Sequence, residues 1–362
     1  MSEDKKRDRG TDKAKNWIVR HRFVLMALVV AVVCGSIVWK AVLLHFHSFD
    51  VQLAAIEAAR AIPESENAGA AYIKLASEYL PIPHYPRVVN NKALVLTAKE
   101  PWQGKDYPKL AAWIDERQVL ISKLIDISRM EKCRLPIPLN NRQRSYFTNP
   151  IRHMHGWTSL LVRSANKDVG EGRIDAAIEK YACILRMATH QRQQPTLGSY
   201  YSGAVRQDQY VALVRRLITQ RALTDEQLLL IEAALLSVED DWKMHLRLML
   251  KVQSLIERRG RPKITDWRRY WDYRKRNNKA NADALERTLR YHLRALANRR
   301  EMHILIALHR FKNKTGNWPR NFDQIEPPLS KETLTDPRSD APFVYEVTSE
   351  GFRLYSGSLT ER

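Results

Sequence analysis

The residues best placed to do chemistry lie in one basic stretch. Arg258-Arg259-Gly260-Arg261-Pro262-Lys263 contains Arg-Gly-Arg-Pro, the core of an AT-hook, whose extended arginines suit a narrow A·T minor groove. Trp267, Tyr270, Trp271 and Tyr273 then interleave with Arg268, Arg269, Arg274, Lys275 and Arg276. Aromatic faces beside cations are what single-stranded nucleic acid stacks on. Between Lys243 and Arg320 stand 22 basic and 6 acidic residues, a net of +16 out of +20 for the 362-residue chain. From His45 to Trp242 the balance is only +3, and from Asn321 onward it is −4, so one segment is basic rather than the whole protein. Arg258 to Lys279 has three readings. It is first a solvated basic face joining two helices. It is second a surface for anionic lipid headgroups or an envelope polymer. Nucleic acid comes last, because the topology argued below places the segment outside the cytoplasm.

The other chemistry-bearing groups are sparser. His45-Phe46-His47 and His153-Met154-His155 each bring two imidazoles together, but a metal site needs three or four converging ligands. No Cys or acidic partner stands at a diagnostic spacing, so no metal site is expected. Glu239-Asp240-Asp241 could act as paired carboxylates, yet consecutive residues do not share a helix face, and the run reads as a polar helix junction. There is no His-Glu-x-x-His, Gly-x-Ser-x-Gly, phosphate loop or dinucleotide fingerprint. No catalytic, cofactor-binding or metal residue is therefore assigned, and no cofactor. Three cysteines make no disulfide framework. Cys133 and Cys183 either pair or sit as two unpaired small apolar residues.

The elements that would position these groups are mainly helical. Asp50–Ala61 reads as a helix stopped by Pro63, and Asn67–Tyr79 as a second ended by Pro81 and Pro83. His84 to Pro108 reads as an irregular connection around a short strand or helix. Leu110–Lys132 has helical spacing at Trp113, Leu120, Leu124 and Ile127. Arg134–Asn149, with two prolines and Asn140-Asn141, reads as a loop. His153–His190 predicts a helical hairpin. Trp157, Leu160, Leu161 and Ala165 form one stripe, Gly170 and Gly172 the turn, and Ile174, Ala177, Ile178, Tyr181 and Leu185 the other stripe. Its Gly172-x-x-x-x-Ala-Ile-x-x-Tyr181 pattern resembles the second half of a tetratricopeptide unit, but the spacing of 19 from Trp157 to Ala176 is longer than that repeat allows and no second copy follows at a 34-residue period. Gln207–Arg221 is a further helix. Thr224-Asp-Glu-Gln227 supplies a capping box for a helix to about Val238, which leads on into Trp242–Arg258. Asp283–Asn313 is the last long helix, closed by Gly316 and Pro319. Pro342–Val347 and Gly351–Tyr355 then alternate with period two as a β-hairpin. Phe343, Tyr345 and Val347 face Phe352 and Leu354 across the pair.

Ahead of these elements, Phe23 to Trp39 is 17 residues without a charge, and after Lys40 the apolar character resumes. As a helix, Phe23 to Leu44 would reach roughly 33 Å, enough to cross a bilayer. Residues 1–22 carry eight Lys or Arg against four acids, so the positive-inside rule holds that tail in the cytoplasm and exports the rest. The expected organisation is a basic tail (1–22), a transmembrane helix in the lipid bilayer (23–44), a solenoid-like helical domain (45–222), long basic helices (223–313) and a small C-terminal α+β unit (314–362).

The C-terminal stretch resembles a known family. The residues that carry the likeness are Ala307-Leu-His-Arg-Phe311, Thr315-Gly-Asn-Trp-Pro319, Asp336-Pro337, Pro342-Phe-Val-Tyr345 and Gly351-Phe-Arg-Leu-Tyr-Ser356. Their order resembles the soluble end of the major pseudopilin of type II secretion. The pseudopilin cleavage site and Asp-rich calcium loop have no counterpart here. The whole chain, with its one anchor and Asn67-Ala68 to Tyr72 segment, also looks like a group of uncharacterised bacterial envelope proteins. The resemblance implies an inner-membrane protein, crossing once with its bulk in the periplasm, that meets a protein partner, with secretion machinery a candidate. The rival expectation is an envelope enzyme acting on an anionic polymer.

Overall fold

A computed structural model describes residues 24, 26–40, 49, 51–79, 91–137, 141–236, 242–259, 267–349 and 351–357. The chain divides into two units, residues 1–58 and 59–362. In the first, residues 26–40 and 51–58 are helical. The transmembrane helix expected over 23–44 is not supported. No helix among the described residues is long and apolar enough to cross a membrane. Residues 26–40 span only about 22 Å at 1.5 Å per residue, and 41–44 lie outside the described residues.

The second unit is mainly helical, with one small sheet. Its helices are α1 (Ala68–Glu78), α2 (Asn91–Lys99), α3 (Pro108–Asp115), α4 (Gln118–Ser128), α5 (Asn141–Gly170), α6 (Ile174–Arg192), α7 (Leu197–Gln220), α8 (Asp225–Leu236), α9 (Trp242–Arg259) and α10 (Trp267–Thr315). Helices α5, α6 and α7 pack in succession, α10 lies along α7, and α8 contacts both α6 and α10. The expected stripes fill the core between them. Trp157, Leu160, Leu161, Ala165, Ala177, Ile178, Tyr181 and Leu185 are all buried. At the α5–α6 turn, a Cβ on Gly170 would stand 2.1 Å from the carbonyl oxygen of Trp102, so only glycine admits that connection.

Local chemistry explains several boundaries. Asn67 caps α1, its Oδ1 accepting from the Gly69 amide at 2.9 Å. Thr224 and Gln227 close the expected capping box reciprocally, at 3.3 and 3.1 Å. The Gly316 amide donates to Lys312 O at 2.8 Å and ends α10 as expected.

Four expectations need correction. The helix read over 110–132 is two helices, broken between Asp115 and Gln118. The loop read over 134–149 gives way to helix from Asn141 onward, and α5 runs through Pro150. A proline there removes one backbone donor without ending the helix. Helix α7 starts ten residues before Gln207, because Thr196 caps it by accepting from the Ser199 amide. Helix α10 starts at Trp267 rather than Asp283.

The C-terminal hairpin is as expected in register. β1 (Phe343–Thr348) and β2 (Gly351–Ser356) are antiparallel, with Tyr345 opposite Leu354 and Val347 opposite Phe352. Phe343 joins Ile304, Leu308 and Ile325 in a small core. Tyr345 donates to the Pro319 carbonyl at 2.8 Å, tying the sheet to the loop after α10.

A chain of buried hydrogen bonds ties the end of α6 to the segments around it. His190 Nε2 stands 2.7 Å from the Met130 carbonyl, which only accepts, so that nitrogen carries the proton. Nδ1 is then the acceptor for the Tyr72 hydroxyl at 3.1 Å. Gln193 Oε1 accepts from the Cys133 amide, while Gln194 accepts from Leu135 N and donates to Cys133 O. Cys133 and Cys183 are both free and buried, with burial pushing each thiol up to about 12.

Two predictions follow from this packing. Gly170→Ala should destabilise the protein by about 1–3 kcal/mol, the usual cost of overpacking, read by denaturant unfolding; an unchanged midpoint would contradict the close approach. Burial lowers His190 to about 4, so the unfolded ring, with its ordinary value near 6.5, binds protons more readily in between. Stability should fall as pH drops from about 6.5 to about 4, by up to about 1.4 kcal/mol per unit from this residue. His190→Gln should flatten that slope. His309, also lowered to about 4 by burial, would leave a weaker residual one.

Candidate functional site

The long basic segment does not form a described site. Gly260–Asp266 lies outside the described residues, and from Trp267 the backbone is helical. The interleaved aromatics and cations therefore sit on a helix and not on an extended arm. His45, His47 and Glu239-Asp240-Asp241 lie outside the described residues. His153 and His155 point apart. His153 is buried against Trp157, with ring centroids 5.4 Å apart, and His155 is exposed. Among the described residues no group of His, Cys, Asp or Glu could hold a metal ion.

The structure instead brings together residues that sequence reasoning passed over. A groove of about 630 Å³ lies between α5, α7 and the end of α2. Lys99, Arg163, Arg206 and Arg216 line it together with His155, and among the described lining residues there is no carboxylate. Thr158, Ser159, Tyr201 and Ser202 add hydroxyls, while Val162, Val205 and Leu213 give it apolar walls.

Arg206 is the unusual member. It is 3 % exposed and carries no ion pair among the described residues. Nη1 donates to Gln191 Oε1 on α6 and, at 3.4 Å, to the Ser202 carbonyl. Nη2 is buried with no hydrogen-bond partner. Burial lowers this guanidinium to about 10, and nothing raises it. Thr158 Oγ1 and Arg216 Nη1 are likewise buried and unpartnered. Partial burial in the groove and, less strongly, the field of Arg206 hold His155 below its ordinary value. Arg163 is spent structurally, with Nη2 donating to the Leu94 carbonyl at 2.7 Å and Nη1 to Ser159.

Packing of α6 on α7 sets this arrangement. A Cβ on Gly203 would lie 2.5 Å from the Ala188 carbonyl, so glycine lets the two helices close. At that approach Arg206 reaches Gln191 while Arg192 reaches back to Gln207 Oε1 at 2.7 Å. Arg192 also donates to the Tyr200 hydroxyl, which is hydrogen-bonded to His292 Nδ1 at 2.8 Å, and His292 stacks on Trp242. The two arginines thus have different fates. Arg192 is absorbed into a chain of amide, phenol and imidazole, whereas Arg206 faces the groove.

In the sequence this groove is disguised as two solvated faces. His155, Thr158, Ser159 and Val162 recur at helical spacing beside the Trp157 stripe, as do Ser202, Arg206, Gln209, Leu213 and Arg216 on α7. Two polar faces read separately give no sign that they oppose one another. An arrangement of cations and hydroxyls of this kind suits an anion. Comparison with protein-family models, with curated proteins and with solved structures finds no match.

Replacing the Arg206–Gln191 pair by apolar residues of similar volume, as Arg206→Met with Gln191→Leu, should leave thermal stability unchanged or raised. Buried charged groups lose several kcal/mol of hydration that hydrogen bonds to neutral partners only partly offset. A loss of more than about 3 kcal/mol in denaturant unfolding would mean that the arginine is structural.

Proposed function

We propose that this chain is a membrane-attached helical interaction protein of the bacterial cell envelope, held through residues 23–44. One observation carries the reading. Ten large apolar side chains between Val24 and Trp39 stand 50–66 % exposed. They include Leu28, Val29 and Val30, and again Ile37, Val38 and Trp39, so they point to every side of the helix. A helix apolar all round is stable only when something apolar surrounds it, and exposed patches of that extent mark membrane or protein contacts. The basic tail of residues 1–22 supports an N-terminus kept in the cytoplasm and the remainder exported to the periplasm.

In this reading the successive packing of α5, α6, α7 and α10 makes a solenoid-like body whose surface meets a partner. Association with secretion machinery rests on the residue order of 307–356 alone. The basic stretch Arg258 to Lys279 would meet anionic headgroups, with nucleic acid disfavoured by the topology. An envelope enzyme is the weaker alternative, since the groove gathers cations and hydroxyls without a lining carboxylate to move a proton.

The test is fractionation followed by topology. The full-length chain should stay with membranes through alkaline carbonate, and a variant lacking 23–44 should become soluble. A reporter active only after export should function when fused beyond Arg362. Carbonate-extractable full-length protein, or a C-terminus active only in the cytoplasm, would overturn the reading.

A further inference from the structure

We propose that the groove between α5 and α7 is a binding site for a phosphate monoester, with Arg206, Arg216 and Thr158 as its principal donors. Arg206 is almost wholly buried, yet its Nη2 has no partner, and Gln191 Oε1 and the Ser202 carbonyl hold its other end in place. Buried donors without partners are rare, and each calls for a ligand, a water or an ion. Here three such donors, from Thr158, Arg206 and Arg216, line one groove. A guanidinium fork matches the oxygens of a phosphate, and hydrogen bonds between ionised groups are about twice as strong as neutral ones.

The charge count selects a dianion. Lys99, Arg206 and Arg216 bring three positive charges to the groove lining, and no lining carboxylate among the described residues offsets them. A single carboxylate would leave most of that charge uncompensated; a phosphate monoester carries close to two negative charges at pH 7. The volume of about 630 Å³ exceeds what a bare phosphate fills and falls within the range of small-molecule sites. Val162, Val205 and Leu213 would face the organic part of the ester. The ester could be a soluble metabolite or a lipid headgroup, since the recognised chemistry is the same. The site does not depend on the membrane reading above.

The experiment uses the full-length protein. Inorganic phosphate is titrated against sodium chloride at matched ionic strength, with thermal unfolding and calorimetry as readouts. Phosphate should raise the unfolding temperature beyond chloride. Arg216→Gln, at a half-buried position, should keep the unfolding temperature in chloride and weaken phosphate binding about tenfold, as expected for one charge-assisted bond. Arg206→Met should abolish the phosphate-specific shift. Glycerol 3-phosphate and dihexanoyl phosphatidic acid, used as monomers, then separate the sources. Tighter binding of the second assigns the site to a lipid headgroup, and equal binding to a soluble ester; either supports the proposal provided Arg216→Gln weakens both. No phosphate effect beyond chloride, or full phosphate binding by Arg216→Gln, would overturn it.

Discussion

The close approach of α6 and α7 is the constraint on which the rest of the second unit depends. With no side chain at Gly203, the backbone of one helix can meet the other at the Ala188 carbonyl. That contact places residues 190–194 among partners from four directions. His190 reaches α1 through Tyr72 and the end of α4 through Met130. Gln193 and Gln194 hold the extended segment around Cys133, and Arg192 with Gln207 bridges to α7. Each net hydrogen bond contributes only about 1 kcal/mol. Left unmade, however, each would strand a buried polar group at a cost of about 1–3 kcal/mol. The network therefore specifies one arrangement of the segments more than it stabilises the fold.

The same constraint explains Asn67 and Tyr72, five residues apart in the sequence. Asn67 Oδ1 accepts from both Gly69 N and Arg134 N, while its Nδ2 donates to Arg134 O at 3.1 Å. One side chain thus caps α1 and pairs the segment after α4 as a strand would. Five residues on, Tyr72 delivers its hydroxyl to His190. These positions are the joints by which α1 docks on α6.

Helical stripes were legible in the sequence because burial writes itself at a period of 3.6. The residues 157, 160, 161 and 165, and the capping box at Thr224, needed no partner to be recognised. The hairpin pairs Tyr345–Leu354 and Val347–Phe352 were legible for the same reason at period two. The start of α5 was not, since Pro136, Pro138 and the Asn140-Asn141 pair signal a loop locally and nothing local says where it ends. The groove was least legible. Its cations come from residues 99, 163, 206 and 216, and only tertiary packing brings α2, α5 and α7 to face one another. Composition pointed to Arg258 to Lys279 and not to the groove, because the density of charge along the chain says little about which cations packing brings together.

Neutralisation separates Arg206 from the buried charges around the α5–α6 turn. Asp168, 3 % exposed, is met by Lys180 and Arg173, and Lys167 by Asp115 at 2.8 Å. Around the α5–α6 turn buried charge is thus matched by opposite charge, from within the hairpin for Asp168 and from the end of α3 for Lys167. Arg206 has the same burial and no such match; neutral amide and carbonyl oxygens hold it. A buried cation held only by neutral oxygens, beside a groove with no carboxylate among its described lining residues, makes a site whose electrostatic complement lies outside the chain. An arriving anion would gain both the attraction of Arg206 and relief of a desolvation cost that folding has already met. Only a buried, prepositioned cation offers both.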